Sequence, residues 1–159
     1  MGTDALLKLV FALGCVCGLR SMTAPALVCW GARVGWLNLG GSRLAFLGTL
    51  PAVILFTLLA MGELVADKLP NIPGRNTPGP LAARFVLGGI CGVALCISAH
   101  ASSGIYGFLT GGMGGVVGGV AGYYIRRYVK RRFRLPDFPV AVTEDVLALA
   151  GGLLIVSRF

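Results

Sequence analysis

Six long apolar segments make up most of this chain, and they restrict it to a small set of folds. The segments cover residues 5–19, 22–37, 44–66, 82–99, 104–125 and 138–156. A helix needs about 20 apolar residues to cross the hydrocarbon core of a bilayer. Hydrophobic residues are 56% of the 159 residues, and a soluble fold of this size has too little interior to bury them. The pattern predicts an all-α bundle of transmembrane helices in one domain, residues 1–159.

The second segment is the weakest span, because it contains Pro25, Gly31 and Arg33. Without it the chain would have five spans, and with it six. We favour six, because six spans divide into two halves of three helices with opposite orientation, residues 5–66 and 82–157. Inverted repeats of this kind recur in transporters.

Two polar connections separate the later spans. The first, residues 67–81, is rich in turn residues, and four prolines and two glycines between Leu69 and Pro80 exclude helix and strand there. The second, residues 126–137, is predicted to be a basic loop. Its basic residues are Arg126, Arg127, Lys130, Arg131, Arg132 and Arg134. Such residues collect on the cytoplasmic side of membranes and face anionic lipid headgroups.

Charge places both connections in the cytoplasm but leaves the side of the N-terminus open. With six spans, ten Lys and Arg residues lie inside and four outside. With five spans the count is the same, because Lys8 and Arg20 exchange sides.

The remaining composition excludes several classes of protein. The net charge is +8, but no basic stretch alternates with aromatic residues on a polar domain, so we expect lipids and not nucleic acid as partners. No nucleophile–base set or Gly-x-Ser-x-Gly sequence indicates an enzyme. All cysteines lie in apolar segments, where packing is their expected role, and neither a metal nor another cofactor is expected. They are Cys15, Cys17, Cys29, Cys91 and Cys96.

The fifth segment contains a ladder of glycines at helical spacing. Two registers with a period of four place glycines on two helix faces, where a neighbouring backbone can approach closely. The registers are Gly107, Gly111, Gly115 and Gly119, and Gly114, Gly118 and Gly122. This pattern predicts tight helix packing of the glycine-zipper type. Packing within the chain is favoured over the alternative, a homo-oligomer assembled through this helix.

Ionisable residues within or beside the apolar segments form a second predicted site. A charge at the centre of a bilayer costs about 2.5–3.5 kcal/mol on insertion scales, so such residues need partners or water. In the six-span arrangement all of them lie toward the cytoplasmic side. They are Arg20, Glu63, Asp67, Lys68, Glu144 and Asp145. They would serve either as a cation or proton site or as salt bridges between helices.

Three stretches carry a resemblance to a known family. They are residues 18–26 (GLRSMTAPA), 62–70 (GELVADKLP) and 144–148 (EDVLA). Together they resemble the DUF4126-type family of small bacterial multi-spanning membrane proteins of unknown function. The resemblance covers nearly the whole chain, and the Glu-x-x-x-Asp-Lys-x-Pro stretch is its most specific part. It implies a multi-spanning fold and no established activity.

Two hypotheses about function follow from the residues. The first is a small transporter or channel-like protein of the cell (inner) membrane, for a small cation, a proton-coupled solute or a lipid. The second is a non-transporting scaffold or lipid-interacting protein in which the charged residues are structural.

Overall fold

The structure is a computed structural model that describes residues 2–66, 78–101, 104–133 and 137–159. The described residues form six α-helices and one short 3-10 helix, and no strand occurs among them. The helices are α1 (Thr3–Leu19), α2 (Thr23–Val34), α3 (Leu50–Ala66), α4 (Pro78–Ser98), α5 (Gly104–Phe133) and α6 (Asp137–Val156), with the 3-10 helix at Ala45–Gly48. The all-helical prediction is confirmed.

Three helical stretches are long and apolar enough to cross a membrane: Pro78–Ser98, Gly104–Val129 and Pro139–Val156. Helix α3 is also apolar but shorter, and α2, with 12 residues, is only about 18 Å long. Large apolar side chains cover the outside of the molecule, Leu58 and Ile105 among them. An outer surface this apolar is typical of a protein that faces lipid.

Helices α1, α4 and α5 form the tightly packed centre of the bundle. Helix α5 runs parallel to α1, since Gly114 lies beside Phe11 and Gly118 beside Cys15. It runs antiparallel to α4, since Gly107 lies beside Gly92 and Gly115 beside Arg84. The core side chains around these contacts are almost completely buried; they include Val10, Leu13, Cys17, Ala94 and Leu95.

Helices α2, α3 and α6 pack around this centre. Helix α6 lies antiparallel to α1 and parallel to α2, with Gly152 against Leu27. Helix α3 contacts α2, and the Trp30 indole N–H donates a hydrogen bond to the Thr57 hydroxyl at 3.1 Å.

The chain between α2 and α3 folds back into the bundle. Helix α2 ends because Gly35 adopts a left-handed conformation, with φ of 91°, that glycine tolerates best. After this turn Leu37, Leu39 and Leu47 are buried in the core. The apolar segments predicted at residues 22–37 and 44–66 are therefore partly non-helical, although Leu37 and Leu47 are buried as in a helix core.

Two predicted loops are partly helical. Helix α4 begins at Pro78, which contradicts the exclusion of helix before Pro80. A proline fits the first turn of a helix because the N–H that it lacks has no partner there.

Helix α5 continues to Phe133, so the prediction of a loop was wrong for residues 126–133. Arg and Lys favour helix, and nothing in this stretch interrupts it.

Candidate functional site

One end of the bundle collects charged residues from α3, α4, α5 and α6 and from the end of α1. Because consecutive helices along the chain alternate in direction, α1, α3 and α5 end here and α2, α4 and α6 begin here. We call this region the charged end. Its charged residues with described side-chain environments are Arg20, Glu63, Arg84, Arg126, Glu144 and Asp145. Asp67, Lys68 and Arg134, predicted to belong to the charged and lipid-facing sets, lie outside the described residues.

Arg20 and Asp145 form a buried ion pair between α1 and α6. Arg20 is the residue that follows the last turn of α1, and its side chain is completely buried. Its guanidinium Nη2 contacts Oδ1 of Asp145. Removing two charges from water is costly, and removing one partner of such a pair leaves the other charge uncompensated. The pair therefore joins the two helices, and loss of either residue would remove an oppositely charged partner from the other.

Glu63 binds the amino end of α2. Its two carboxylate oxygens accept hydrogen bonds from the backbone N–H groups of Ser21 and Met22, each at 2.8 Å. The first N–H groups of a helix lack partners within the helix and carry partial positive charge. Met22, at the N-cap position, supplies no side-chain oxygen to them. Glu63, from α3, therefore performs the capping that α2 lacks in its own sequence.

Glu144 and Asp145 are adjacent but contact different helices. Successive side chains on a helix point about 100° apart, so Asp145 reaches α1 and Glu144 turns toward α5. Oε2 of Glu144 lies 3.5 Å from Nη1 of Arg126, and 11% and 19% of the two side chains are exposed. The start of α6 is thus tied to α1 by a buried pair and to α5 by a more accessible one.

The glycines of α5 contact two helices of the same chain. A methyl group placed on Gly111 or Gly115 would lie 3.1 Å from the Gly88 carbonyl carbon or 2.9 Å from that of Arg84, both on α4. One placed on Gly118 would lie 2.7 Å from the Cα atom of Cys15 on α1. The register that begins at Gly107 therefore faces α4, and the register that begins at Gly114 faces α1. No side chain larger than hydrogen fits at these contacts without moving a backbone.

The last glycines of the ladder make room for the charged end. A methyl group on Gly119 would lie 3.1 Å from Cδ and 3.3 Å from Nη1 of Arg84. One on Gly122 would lie 3.4 Å from Oε1 of Glu144. The glycine ladder and the charged residues, treated as separate features in the sequence, therefore meet in space.

Arg84 is a residue that the sequence analysis did not place in the site. In the sequence it was only one of the ten Lys and Arg residues placed on the inside, but it is almost completely buried in α4. Its backbone carbonyl accepts a weak hydrogen bond from the Cys17 thiol at 3.9 Å. One feature of the sequence could have indicated it, namely an arginine near the start of a long apolar stretch. A cation within the apolar part of a membrane protein requires partners.

A cavity of about 410 Å³ lies between α5 and α6 at the charged end. It is lined by Leu19, Gly122, Ile125, Arg126, Val129, Pro139, Val140, Thr143, Glu144 and Leu147. Two of these described lining residues are charged, and most of the rest are apolar. We call this space the α5–α6 cavity. The cavity is not predictable from the sequence, because it depends on the distance between α5 and α6.

Five of the six basic residues predicted to meet lipid headgroups lie on the last turns of α5, and the sixth is Arg134. Arg127, Arg131 and Arg132 are exposed, whereas Arg126 is half-buried beside Glu144.

Among the described residues, no three His, Cys, Asp or Glu side chains come together in the way that a metal site requires.

Comparison with known families identifies one match. The sequence model of a family described as a domain of unknown function (DUF4126) matches residues 7–157. Comparisons with curated proteins and with solved structures gave no match.

Proposed function

The chain belongs to the DUF4126 family, and we propose that it is a multi-pass protein of the cell (inner) membrane that interacts with lipids and does not transport a solute. One observation carries this proposal. The carboxylates of the charged end that the structure describes all have protein partners: Glu63 binds the amides of α2, Asp145 binds Arg20, and Glu144 binds Arg126. Carboxylates engaged in this way support the structural alternative for the cluster.

In this proposal the charged end faces the cytoplasm. The described basic residues there outnumber those toward the opposite end, which are Lys8, Arg33, Arg43 and Arg158. The exposed arginines of α5 then meet the anionic headgroups of the cytoplasmic leaflet. Helix α2 is too short to cross alone, and we propose that it crosses together with the buried leucines of residues 35–49. The bundle then has six membrane passes, with both termini on the outer side.

Labelling of introduced cysteines tests this arrangement. In a variant that lacks the five native cysteines, Arg132→Cys should react with a membrane-impermeant maleimide only when the cytoplasmic side is accessible. Arg43→Cys should react only from the outside. Labelling of both positions from the same side would contradict the six-pass arrangement.

Transport is the second candidate function, and one feature favours it. Helix α2 has 12 residues, which is about 60% of the length of a membrane span, and its amino end meets the half-buried carboxylate of Glu63. Discontinuous helices of this kind form the ion and substrate sites of many transporters. In this candidate, Glu63, Glu144 and Asp145 would lie near the path, with Arg20 as their counter-ion.

Flux measurements separate the two candidates. We expect purified protein in liposomes to pass protons, Na⁺ and K⁺ no faster than protein-free liposomes do. We expect Glu63→Gln to lower stability without changing that result. A wild-type flux that Glu63→Gln abolishes, while the variant keeps its helical content and elutes as a single species, would overturn the proposal in favour of transport.

A further inference from the structure

We propose that the α5–α6 cavity binds one anionic phospholipid, with its phosphate at Arg126 and an acyl chain along the apolar wall. This inference rests on the proposed function and names the lipid class and the site. It concerns a specific site, which is distinct from the general attraction between the basic turns of α5 and a charged membrane surface.

The shape and lining of the cavity fit an acyl chain. Its volume of about 410 Å³ lies within the range of about 300–1,000 Å³ that is usual for small-molecule sites. The wall formed by Leu19, Val129 and Val140 is apolar. The cavity opens at the surface, since Ile125 and Leu147 line it and are 62% and 65% exposed. A chain can therefore enter sideways from the bilayer.

The position of Arg126 fits a lipid phosphate. It lies three residues before the end of the apolar stretch Gly104–Val129, about 4.5 Å along the helix, which is the level of the membrane interface. Arginine binds phosphate through paired N–H groups. Its half-buried guanidinium is less hydrated than the exposed ones of Arg127 and Arg131, so a bound phosphate competes with less water there.

Glu144 is the residue that a phosphate would displace. Its carboxylate lies 3.5 Å from the Arg126 guanidinium, a distance longer than the 2.7–2.9 Å of a strong charge-assisted hydrogen bond. A phosphate at Arg126 would also lie close to the negative charge of Glu144. The two anions therefore compete for one cation, and neutralising Glu144 should favour the lipid.

Lipid titration of the detergent-solubilised full-length protein, followed by native mass spectrometry, tests the site. The probes are phosphatidylglycerol, phosphatidylcholine and soluble glycerol phosphate. We expect one phosphatidylglycerol to bind in preference to phosphatidylcholine. Arg126→Gln should weaken that binding about 10-fold, which is the effect of losing a hydrogen bond to a charged group. Arg127→Gln, the matched control with the same change in charge, should weaken it less than 2-fold. Glu144→Gln should strengthen it.

A second pair of variants tests the apolar wall without changing charge. Leu147→Trp should fill the cavity and reduce lipid binding. Leu154→Trp should not, because Leu154 is equally exposed on α6 and lies outside the lining of the cavity.

Three outcomes would overturn the inference. The first is an equal loss of phosphatidylglycerol affinity in Arg126→Gln and Arg127→Gln. The second is an unchanged affinity in Leu147→Trp, and the third is binding of glycerol phosphate as tight as that of phosphatidylglycerol. None of them bears on the flux measurement, so failure of this site and failure of the proposed function are separate results.

Discussion

Helix α5 has two very different neighbourhoods along its length. From Gly107 to Gly119 its backbone touches the backbones of α1 and α4. Beyond Gly122 it faces α6 across the α5–α6 cavity, and Arg126 and Glu144 form an ion pair beside that space. One helix therefore forms part of a rigid core over its first four turns and a loosely packed boundary over its last ones.

The contrast along α5 shows a closely packed core beside a boundary that contains a cavity. Without a hydrophobic driving force between helices in lipid, close packing of small residues holds the core together. Larger side chains and charges on the last turns keep α6 at a distance and leave space for another molecule. Substitutions in each region test the two against each other, from the core outward.

The largest effect is expected at the glycine ladder. Gly115→Leu should destabilise the protein by more than about 3 kcal/mol, or prevent folding, because the new side chain would meet the backbone of Arg84. Gly62→Leu is the matched control, since nothing lies within 4 Å of a side chain added there. The stability of both variants is measured by the recovery of folded protein and by thermal unfolding in detergent. Equal stability of the two variants would contradict the packing role of the ladder.

The next largest effect is expected at the buried ion pair. Asp145→Ala should cost about 3–5 kcal/mol of unfolding free energy, because the buried charge of Arg20 loses a partner. The double variant Arg20→Gln/Asp145→Asn should lose less than the sum of the single variants, as a double-mutant cycle would show. Additive losses would mean that the two residues do not act as a pair.

An intermediate effect is expected at the cap of α2. Glu63→Gln should cost about 1.5–3 kcal/mol, the contribution of hydrogen bonds to a charged group. A glutamine has one carbonyl oxygen for the two N–H groups of Ser21 and Met22. Hydrogen exchange should quicken in the first turn of α2 and not in α5. Exchange that is unchanged in α2 would show that the cap contributes nothing there.

The smallest effect on stability is expected at the α5–α6 boundary. Arg126→Gln should change the unfolding free energy by less than about 1 kcal/mol, because partly exposed ion pairs contribute little. The same variant should alter lipid binding strongly. A loss of stability as large as that of Asp145→Ala would remove the contrast between the rigid core and the loose boundary.

Local patterns in the sequence predicted most of the helices and part of the site. The length of the apolar stretches predicted the helices, and the period of four placed the glycines on two faces, because both patterns lie within one helix. Partners separated by many residues were not predictable in this way. That Asp145 meets Arg20, or that Glu63 meets the amides of Ser21 and Met22, depends on which ends of which helices come together.

The same limit explains the boundaries that were wrong. Pro78 and Pro80 indicate an interruption of helical structure. Whether a proline lies before a helix or in its first turn depends on where the helix packs. The leucines after Gly35 look like a continued helix, since burial requires the same residue types with or without helical structure. The basic stretch after Ile125 suggests a loop by its charge, although its residues favour helix.

The sequence by itself determined that this chain is helical and apolar, that α5 has two glycine faces, and that charges collect near the ends of its segments. Composition and spacing are properties of single helices, so they can be read without a fold. Only the tertiary structure decided which helix each glycine face contacts, which carboxylate each arginine binds, and that a cavity remains between α5 and α6. Those features depend on distances between helices far apart in the chain, which packing alone establishes.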